Sequence, residues 1–326
     1  MEPLTQTSVV AIRDPSQIGV ARRIAAEFAQ AAEMDEQRIA ALNVVITELA
    51  NNLLQHAGGG RLYLHYIAPI GAMEVAAVDH GRGMPNVDQC LVDGFTTAST
   101  PGLGLGAVRR FATRFGVFSL LDRSTVVAAR MSELKSSPEM SVICSPIEGE
   151  ILSGDGWAVS DDGKTFLVVD GLGHGMFAAD AAKVAVEVFR RSQSLPPAAI
   201  LDKMHAAMRS TRGAAAAISR VDSEQRRVHF AGIGNISCFL LNQERTQYMI
   251  SHNGTLGHQI RKVQEFDYTY SPRDLMVMQS DGVATQSKKG LPPSLLSQPP
   301  MVIAPFLFAE QLRGTDDATV LVARLA

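Results

Sequence analysis

Apolar residues spaced three and four apart predict a long helix in the first half of the chain. The spacing puts them on one face of an α-helix, and they are Ile39, Leu42, Ile46, Leu49 and Leu53. Asp35 can cap the first turn, and the glycines at 58–60 stop the helix near His56. One side of this helix is therefore expected to lie in a core.

Shorter stretches on both sides of this helix alternate between strand-like and helix-like patterns. We predict strands at 8–14, 61–68, 73–79, 116–121 and 125–131, and further helices at about 16–32 and 104–115. Together these elements predict a mixed α/β unit over residues 1–132.

The polar segment 133–140 contains Pro138 and has no periodicity, so we interpret it as a linker. Strands dominate beyond it. We predict a hairpin that turns at 161–163, helices at about 176–192 and 197–209, and strands at 214–221, 226–233, 236–242, 274–282 and 317–325. Strands grouped around one helix pair predict a strand-rich α/β sandwich over residues 141–326.

Composition narrows the class of protein without naming a function. The chain has 326 residues, enough for two cores, with 46% hydrophobic residues and a net charge of −3. This charge argues against nucleic acid or an anionic membrane as the main partner. Three cysteines without ligand spacing suit a reducing cytosol. With neither a signal peptide nor a membrane-length apolar run in the sequence, we expect a cytoplasmic protein.

Three glycine- or acid-bearing segments of the first half are candidates for a nucleotide site. Glu48 and Asn52 lie four residues apart, on one helix face. Glu48 could polarise a hydroxyl, and the carbonyl oxygen of Asn52 could hold Mg²⁺. A glutamate on a helix is more often simply solvated, so the pair alone is weak evidence.

The other two segments strengthen this candidate because they follow in order. The segment VDHGRGMP ends a strand at Asp79 and continues with Gly81 and Gly83. The segment TPGLGLGAVRRF opens a helix, where exposed amides suit phosphate oxygens; its glycines are Gly102, Gly104 and Gly106. The ordered set is much less expected by chance than any one segment.

This order of motifs resembles the GHKL (Bergerat) ATP-binding fold, a two-layer α/β sandwich. Within that fold, TELANNLLQHAGGGRLYL and DGFTTASTPGLGLGAVRR most resemble the RsbT and anti-sigma-factor serine kinases, over about residues 5–131. The resemblance implies that Asp79 contacts the adenine amino group and that Asn52 holds Mg²⁺. It also implies that Glu48 is the catalytic base and that the Gly102–Gly106 loop wraps the phosphates of ATP.

Acidic residues at the ends of predicted strands suggest different chemistry in the second half. Each adjoins an apolar run, and they are Asp155, Asp170, Asp281, Asp316 and Asp317. Such oxygen ligands suit Mg²⁺ and Mn²⁺, and two ions about 3.5–4 Å apart can activate one water for attack on phosphorus. Asp-Gly pairs also form ordinary turns, which is how we interpret 161–163. His174 has no second ligand at zinc spacing.

This pattern resembles the metal-dependent protein serine/threonine phosphatases of the SpoIIE/RsbX branch, whose fold is a β-sandwich flanked by helices. The segments SGD, VVDGLGHG, AGIGN, SPRDLMVMQSDGV and DDATVLVARL match in order across about 141–326. The resemblance implies two Mn²⁺ or Mg²⁺ ions, with Gly171 contributing its carbonyl. The implied metal-binding and catalytic acids are Asp155, Asp170, Asp281 and Asp316, with Asp317 the alternative to Asp316.

The two resemblances together suggest a bifunctional regulator, a serine/threonine kinase joined to an opposing phosphatase. They imply STAS-type regulatory proteins of a stressosome or anti-sigma pathway as substrates, and phosphorylation of such proteins changes their partner choice. Two alternatives stay open for the first domain: a binding clamp similar to anti-sigma factors, or an ATP sensor without kinase turnover. A homodimer is compatible with either alternative.

Overall fold

The structure is a computed structural model, and it describes residues 6–90, 104–132, 139–285 and 291–326. The chain divides into two compact units, one of Met1–Ser137 with Ser297–Ala309 and one of Pro138–Leu296 with Glu310–Ala326. The predicted linker is only partly described, and the predicted domain boundaries stay predictions. Within the described ranges, no helix is both long and apolar enough to cross a membrane.

The described part of the first 132 residues contains five strands and four α-helices. In chain order these are β1 (Ser8–Ile12), α1 (Ser16–Ala31), α2 (Glu36–Asn52), β2 (Gly60–Ile67), β3 (Ala72–Asp79), α3 (Val87–Cys90), α4 (Gly104–Phe111), β4 (Arg114–Leu120) and β5 (Ser124–Ser132). A π-helical turn at Leu53–Ala57 continues α2, and a 3-10 turn occupies Ala68–Ile70.

The rest of the described chain supplies twelve strands and four helices. They are β6 (Met140–Ser145), β7 (Asp155–Val159), β8 (Thr165–Gly171), α5 (Met176–Ser192), α6 (Pro197–Ala207), β9 (Ala214–Asp222), β10 (Arg227–Ile233), β11 (Ser237–Leu241), β12 (Thr246–Tyr248), β13 (Gly254–Thr255), β14 (Gln259–Ile260), β15 (Phe266–Thr269), β16 (Leu275–Gln279), α7 (Pro293–Leu296), α8 (Pro300–Gln311) and β17 (Ala318–Arg324).

The first unit contains one antiparallel sheet with the order β1-β2-β3-β5-β4 and with α1 and α2 on one face. Asp35 caps α2 as expected, because its Oδ1 accepts a hydrogen bond from the Arg38 amide at 2.8 Å. The helix predicted over 104–115 is too long. It ends at Phe111, and the Thr113 amide then donates to the Arg130 carbonyl oxygen at 2.8 Å, which starts the pairing of β4 with β5.

The opposite face of this sheet is also buried, although it carries charge. Glu74 accepts hydrogen bonds from the Arg130 guanidinium, with Nε–Oε1 at 2.6 Å, and its Oε2 lies 2.9 Å from Nε2 of His65. Nearby, rings of α8 pack edge-on against rings of the sheet, with centroids 5.8 Å apart for Phe308 with Tyr63. Helix α8 was not predicted, since it is apolar all round and has no helical period.

The second unit contains two five-stranded antiparallel sheets, ordered β15-β10-β9-β8-β7 and β12-β11-β16-β17-β6. Helices α5 and α6 cover the first sheet through a core that includes Leu167, Phe189 and Ile200. The predicted turn at 161–163 is confirmed, because Gly163 donates to the Ser160 carbonyl oxygen between β7 and β8. The predicted fold class, an α/β sandwich followed by a helix-flanked β-sandwich, is confirmed.

Candidate active sites

A cavity of about 680 Å³ opens in the first unit, between α2, the end of β3 and the start of α4. Its wall includes five of the predicted site residues: Glu48, Asn52, Asp79, Gly83 and Gly104. The structure thus brings the three predicted segments to one place. Gly102 lies outside the described residues, and the described residues Gly81 and Gly106 are not among those lining the cavity.

Helix α2 contributes its two predicted residues to this cavity, and their hydrogen bonding differs. The Oε2 atom of Glu48 accepts a hydrogen bond from the Gly104 amide at 3.1 Å, which ties α2 to the start of α4. The Nδ2 atom of Asn52 is buried and has no hydrogen-bond partner within the described chain. A buried amide without a partner is costly, so the cavity suits a polar ligand that would satisfy Asn52.

Asp79 ends β3 at the cavity wall. Its Oδ1 accepts a hydrogen bond from the Gly81 amide at 2.9 Å. Burial raises the pKa of Asp79, and the hydrogen bond from Gly81 and the nearby histidines partly oppose this rise. Thr125, the cross-strand neighbour of Asp79, also lines the cavity. Thr125 was not predicted from the sequence, because only the pairing of β3 with β5 places it beside Asp79.

The second candidate site begins at the open end of the β7–β8 hairpin. Asp155, the first residue of β7, pairs with Asp170 near the end of β8. The side chain of Asp155 is buried, and its Oδ2 accepts a hydrogen bond from the Ser280 hydroxyl at 2.6 Å. Its Oδ1 is buried without a hydrogen-bond partner in the described residues. An unsatisfied carboxylate oxygen at this place fits a metal ligand.

Carboxylates from distant parts of the chain converge on Asp170. Burial raises the pKa of Asp170 to about 9, and burial likewise raises the pKa of Asp155 to about 7. Part of this rise for Asp170 comes from nearby negative charges, those of Asp155, Asp281, Asp316 and Asp317. Like charges this close need protons or cations between them, so the donor set fits divalent metal ions.

The two adjacent acids at the start of β17 have different surroundings. The Asp317 carboxylate is buried and accepts hydrogen bonds from two backbone amides, those of Ile147 at 2.8 Å and Gly154 at 2.7 Å. Asp316 is half-buried, and its Oδ1 accepts from the Asp317 amide at 2.9 Å. Asp317 thus fastens the loop before β7, while the other carboxylate oxygen of Asp316 has no hydrogen bond within the described chain.

Glycine is required directly after Asp170. A Cβ built on Gly171 would lie 2.2 Å from the Ala178 carbonyl oxygen, which no side chain could tolerate. The absence of a side chain at Gly171 therefore lets α5 pack closely against the end of β8.

Two neighbours of the acids were not predicted as site residues. Asn235 donates from Nδ2 to Asp281 at 2.7 Å, and Ser280 donates to Asp155. Both lie in the motif segments AGIGN and QSDGV, so their position in the motifs was the available signal.

Comparison with known proteins identifies the second half of the chain. A family model described as stage II sporulation protein E (SpoIIE) matches residues 160–326, just over half of the chain. The chain belongs to the SpoIIE family. A second model, described as a histidine kinase-like ATPase domain, matches residues 12–131. This SpoIIE-family protein therefore carries a kinase-like ATPase domain before its phosphatase domain.

Two proteins of Bacillus subtilis (strain 168) are similar to separate parts of the chain. The serine/threonine-protein kinase RsbT is 31% identical over 128 residues, which cover 39% of this chain and 90% of RsbT. The phosphoserine phosphatase RsbX is 26% identical over 140 residues, which cover 42% of this chain and 70% of RsbX. The predicted relationship to RsbT and RsbX is confirmed.

Solved structures agree with the fold of the SpoIIE part. A structure from work on the bacterial stressosome as a modular system has a TM-score of 0.52 and 29% identity, covering 58% of this chain and all of that one. A crystal structure of RsbX in complex with magnesium has a TM-score of 0.51 and 24% identity, covering 57% of this chain and 94% of that one. The latter likeness supports the fold alone.

Proposed function

We propose that this SpoIIE-family protein removes phosphate from phosphoserine or phosphothreonine in a regulatory protein and that its first unit phosphorylates such a protein with ATP. The observation that carries the phosphatase part is the convergence of carboxylates on Asp170 from separate segments of the chain. Its relatives RsbT and RsbX, a kinase and a phosphoserine phosphatase, support the pairing of opposing activities.

In the proposed phosphatase, Asp155, Asp170, Asp281 and Asp316 hold two Mn²⁺ or Mg²⁺ ions, together with the Gly171 carbonyl oxygen. When bound, such a pair of ions supplies an activated water and neutralises charge on the phosphoryl group. We choose Asp316 over Asp317 because both carboxylate oxygens of Asp317 already accept backbone hydrogen bonds.

Neighbouring side chains would orient these ligands. The hydroxyl of Ser280 fixes one oxygen of Asp155 and leaves the other, unpartnered oxygen for a metal ion. The amide of Asn235 holds one oxygen of Asp281 in the same way. Hydrogen bonds of this kind commonly fix the orientation of metal ligands.

In the proposed kinase, the cavity of the first unit binds ATP with Mg²⁺. Asp79 accepts from the adenine amino group, Asn52 holds Mg²⁺ through its carbonyl oxygen, and Glu48 acts as general base toward the substrate hydroxyl. The unpartnered Nδ2 of Asn52 supports a polar ligand there. The amide end of α4 at Gly104 would face the phosphates.

A second candidate function is a first unit that binds ATP or a partner without phosphotransfer. The hydrogen bond from the Gly104 amide to Glu48 favours this alternative, because it occupies a carboxylate oxygen that a general base would use to accept the substrate proton. A similar structure comes from work on the bacterial stressosome, and the motif resemblance to RsbT-type kinases implies STAS-type substrates; we therefore propose STAS-type proteins of a stressosome pathway as the substrates.

The deciding experiment measures transfer from γ-labelled ATP to purified STAS proteins, with the phosphatase silenced by Asp170→Asn. Labelled substrate is expected from the Asp170→Asn variant. Little labelled substrate is expected from the wild type, which would hydrolyse the product. Release of phosphate from a phosphoserine STAS protein, dependent on Mn²⁺ and abolished by chelator, tests the phosphatase separately. Full release in excess chelator would refute the metal mechanism.

A further inference from the structure

The loops around the candidate metal site carry several exposed apolar side chains. In the described part of the second unit, eight large apolar side chains are exposed, and five of them lie between residues 151 and 177. These five are Ile151, Leu152, Leu172, Met176 and Phe177. Exposed apolar residues that occur singly need no explanation, but a cluster of them commonly marks a surface that binds another molecule.

A hydrogen bond joins the two loops that carry these residues. Nδ1 of His174 lies 2.8 Å from Oε1 of Glu150. Each of the five residues is at most three positions along the chain from Glu150 or His174, so its Cα lies within about 11 Å of the Cα of one of that pair. An ordinary protein–protein interface covers about 800 Å² on each partner, so one partner could cover all five side chains. We call these five residues the apolar rim.

Direct contacts hold both loops to residues of the candidate metal site. The first loop, residues 147–154, is held at both ends by the Asp317 carboxylate, which accepts from the amides of its first and last residues at 2.8 Å and 2.7 Å. The second loop, residues 172–177, directly follows Gly171, whose amide donates to the Gly154 carbonyl oxygen at 2.9 Å. The apolar rim therefore borders the acids on two sides of the chain.

The position of the apolar rim indicates which molecule would cover it. A phosphorylated residue that reaches the acids brings the surface of its own protein against the loops that hold them. The substrate protein is therefore the occupant that the proposed phosphatase requires. A negatively charged membrane fits less well, since the five carboxylates that converge on the site adjoin this surface.

We propose that the apolar rim docks the protein substrate by contacting apolar side chains that flank its phosphorylated serine or threonine. This inference rests on the proposed phosphatase function and adds the kind of partner surface that the site accepts. Burial of exposed apolar area drives such docking. The apolar rim would thus select among phosphoproteins, while the acids would act on any phosphate ester that reaches them.

The first test measures binding of a purified STAS protein that carries one phosphoserine. Calorimetry uses the full-length Asp170→Asn protein, so that the phosphate is not removed. Adding Ile151→Ser and Met176→Ser together, one change in each loop, should weaken this binding at least about tenfold, the usual size for central interface residues. Ile250→Ser is the matched control, because Ile250 is 58% exposed and lies outside both loops. It should leave the affinity unchanged, and all melting temperatures should agree.

The second test compares two substrates of the active, Mn²⁺-loaded protein. The ratio of kcat/KM for the phosphoserine STAS protein to kcat/KM for p-nitrophenyl phosphate should fall at least about tenfold in Ile151→Ser, Met176→Ser, because the small ester brings no partner surface. The ratio should not change in Ile250→Ser. Failure of the wild type to hydrolyse either substrate would refute the proposed phosphatase, and the binding measurement would then decide on the apolar rim by itself.

Three results would overturn the inference: no binding of the phosphoprotein to Asp170→Asn, unchanged affinity after the double substitution, or equal weakening by Ile250→Ser. Sedimentation would detect a different occupant. If the double substitution converted a dimer into a monomer without changing phosphoprotein affinity, the apolar rim would be a contact between two copies of the chain. If the double substitution instead abolished binding to phosphatidylserine vesicles, the apolar rim would be a membrane surface. Either result would also overturn the inference.

Discussion

The loops VDHGRGMP and VVDGLGHG look alike in sequence, and each follows a buried strand, but their aspartates have opposite surroundings. Burial is the first cause of a raised pKa for both Asp79 and Asp170. Near Asp79 the other charges are His80 and His56, which lower its pKa, whereas Asp170 faces four other carboxylates that raise it. The chemistry of an acidic glycine loop is therefore set by the residues that the fold places beside it, and not by the sequence of the loop itself.

The largest expected effect is loss of phosphatase activity in Asp170→Asn. A neutral amide is a poor ligand for a site that needs charge neutralisation, and losing several kcal/mol of metal assistance would slow hydrolysis about a thousandfold or more. Calorimetric ATP binding should stay unchanged, because ATP is assigned to the other loop. A variant that keeps Mn²⁺-dependent hydrolysis would remove Asp170 from the site.

Glu48→Gln tests the chemistry proposed for the cavity that Glu48 shares with Asp79. In the Asp170→Asn background, transfer from ATP to a STAS protein should fall about 10²- to 10⁴-fold, the usual effect of losing a general base. Binding of Mg-ATP should remain near normal, whereas Asn52→Ala should weaken it. Equal transfer rates with and without the Glu48 substitution would favour the clamp or sensor alternative.

Asp79→Asn should have a smaller effect that is confined to nucleotide binding. Losing a charge-assisted hydrogen bond to an exocyclic amine costs about 1.5–3 kcal/mol, or roughly one to two decades in ATP affinity. Phosphatase activity toward a phosphoserine peptide serves as the internal control and should not change. If ATP bound equally well to the wild type and to Asp79→Asn, the assignment of ATP to the loop of Asp79 would be wrong.

The smallest expected effect is a pH-dependent shift in stability that depends on metal. The pKa of Asp170 is about 9 in the folded protein against an ordinary 3.8, so folding favours its protonated form. This stability is fully present below about pH 4 and is lost as the pH rises toward 9. In chelator, melting temperature should therefore fall by a few degrees between pH 5 and pH 9, and excess Mn²⁺ should reduce this fall. Asp170→Asn should flatten the slope in chelator; an unchanged slope would contradict the assigned cause.

The sequence predicted most of the fold because its strands and helices are strongly patterned. Helix α5 was predicted at 176–192 and occupies Met176–Ser192. The predicted end of α4 was wrong because the pairing of β4 with Arg130 ends the helix early. Helix α8 was missed because it is apolar on every side and therefore has no polar face to reveal a helical period.

The residues of the candidate sites also differ in whether the sequence alone could reveal them. Acids within motifs, such as Asp155 and Asp281, could be selected from the sequence because each adjoins a strand and a glycine. Thr125 could not be selected, since only the pairing of β3 with β5 brings it beside Asp79. A sequence pattern identifies site residues that lie within a recognisable strand, helix or motif. Residues that reach a site only through tertiary contacts can be identified only from the structure.

During synthesis, the first unit cannot be completed until the α8 segment has been made. All strands of its sheet have been synthesised by residue 132, but the rings of Phe306 and Phe308 that pack on Phe118 and Tyr63 come only after residues 138–296 have been made. At about 5–20 residues per second, this wait is on the order of ten seconds or more. During that time, the rings of Tyr63 and Phe118 lack their partners in α8 and could be bound by chaperones or another nascent chain.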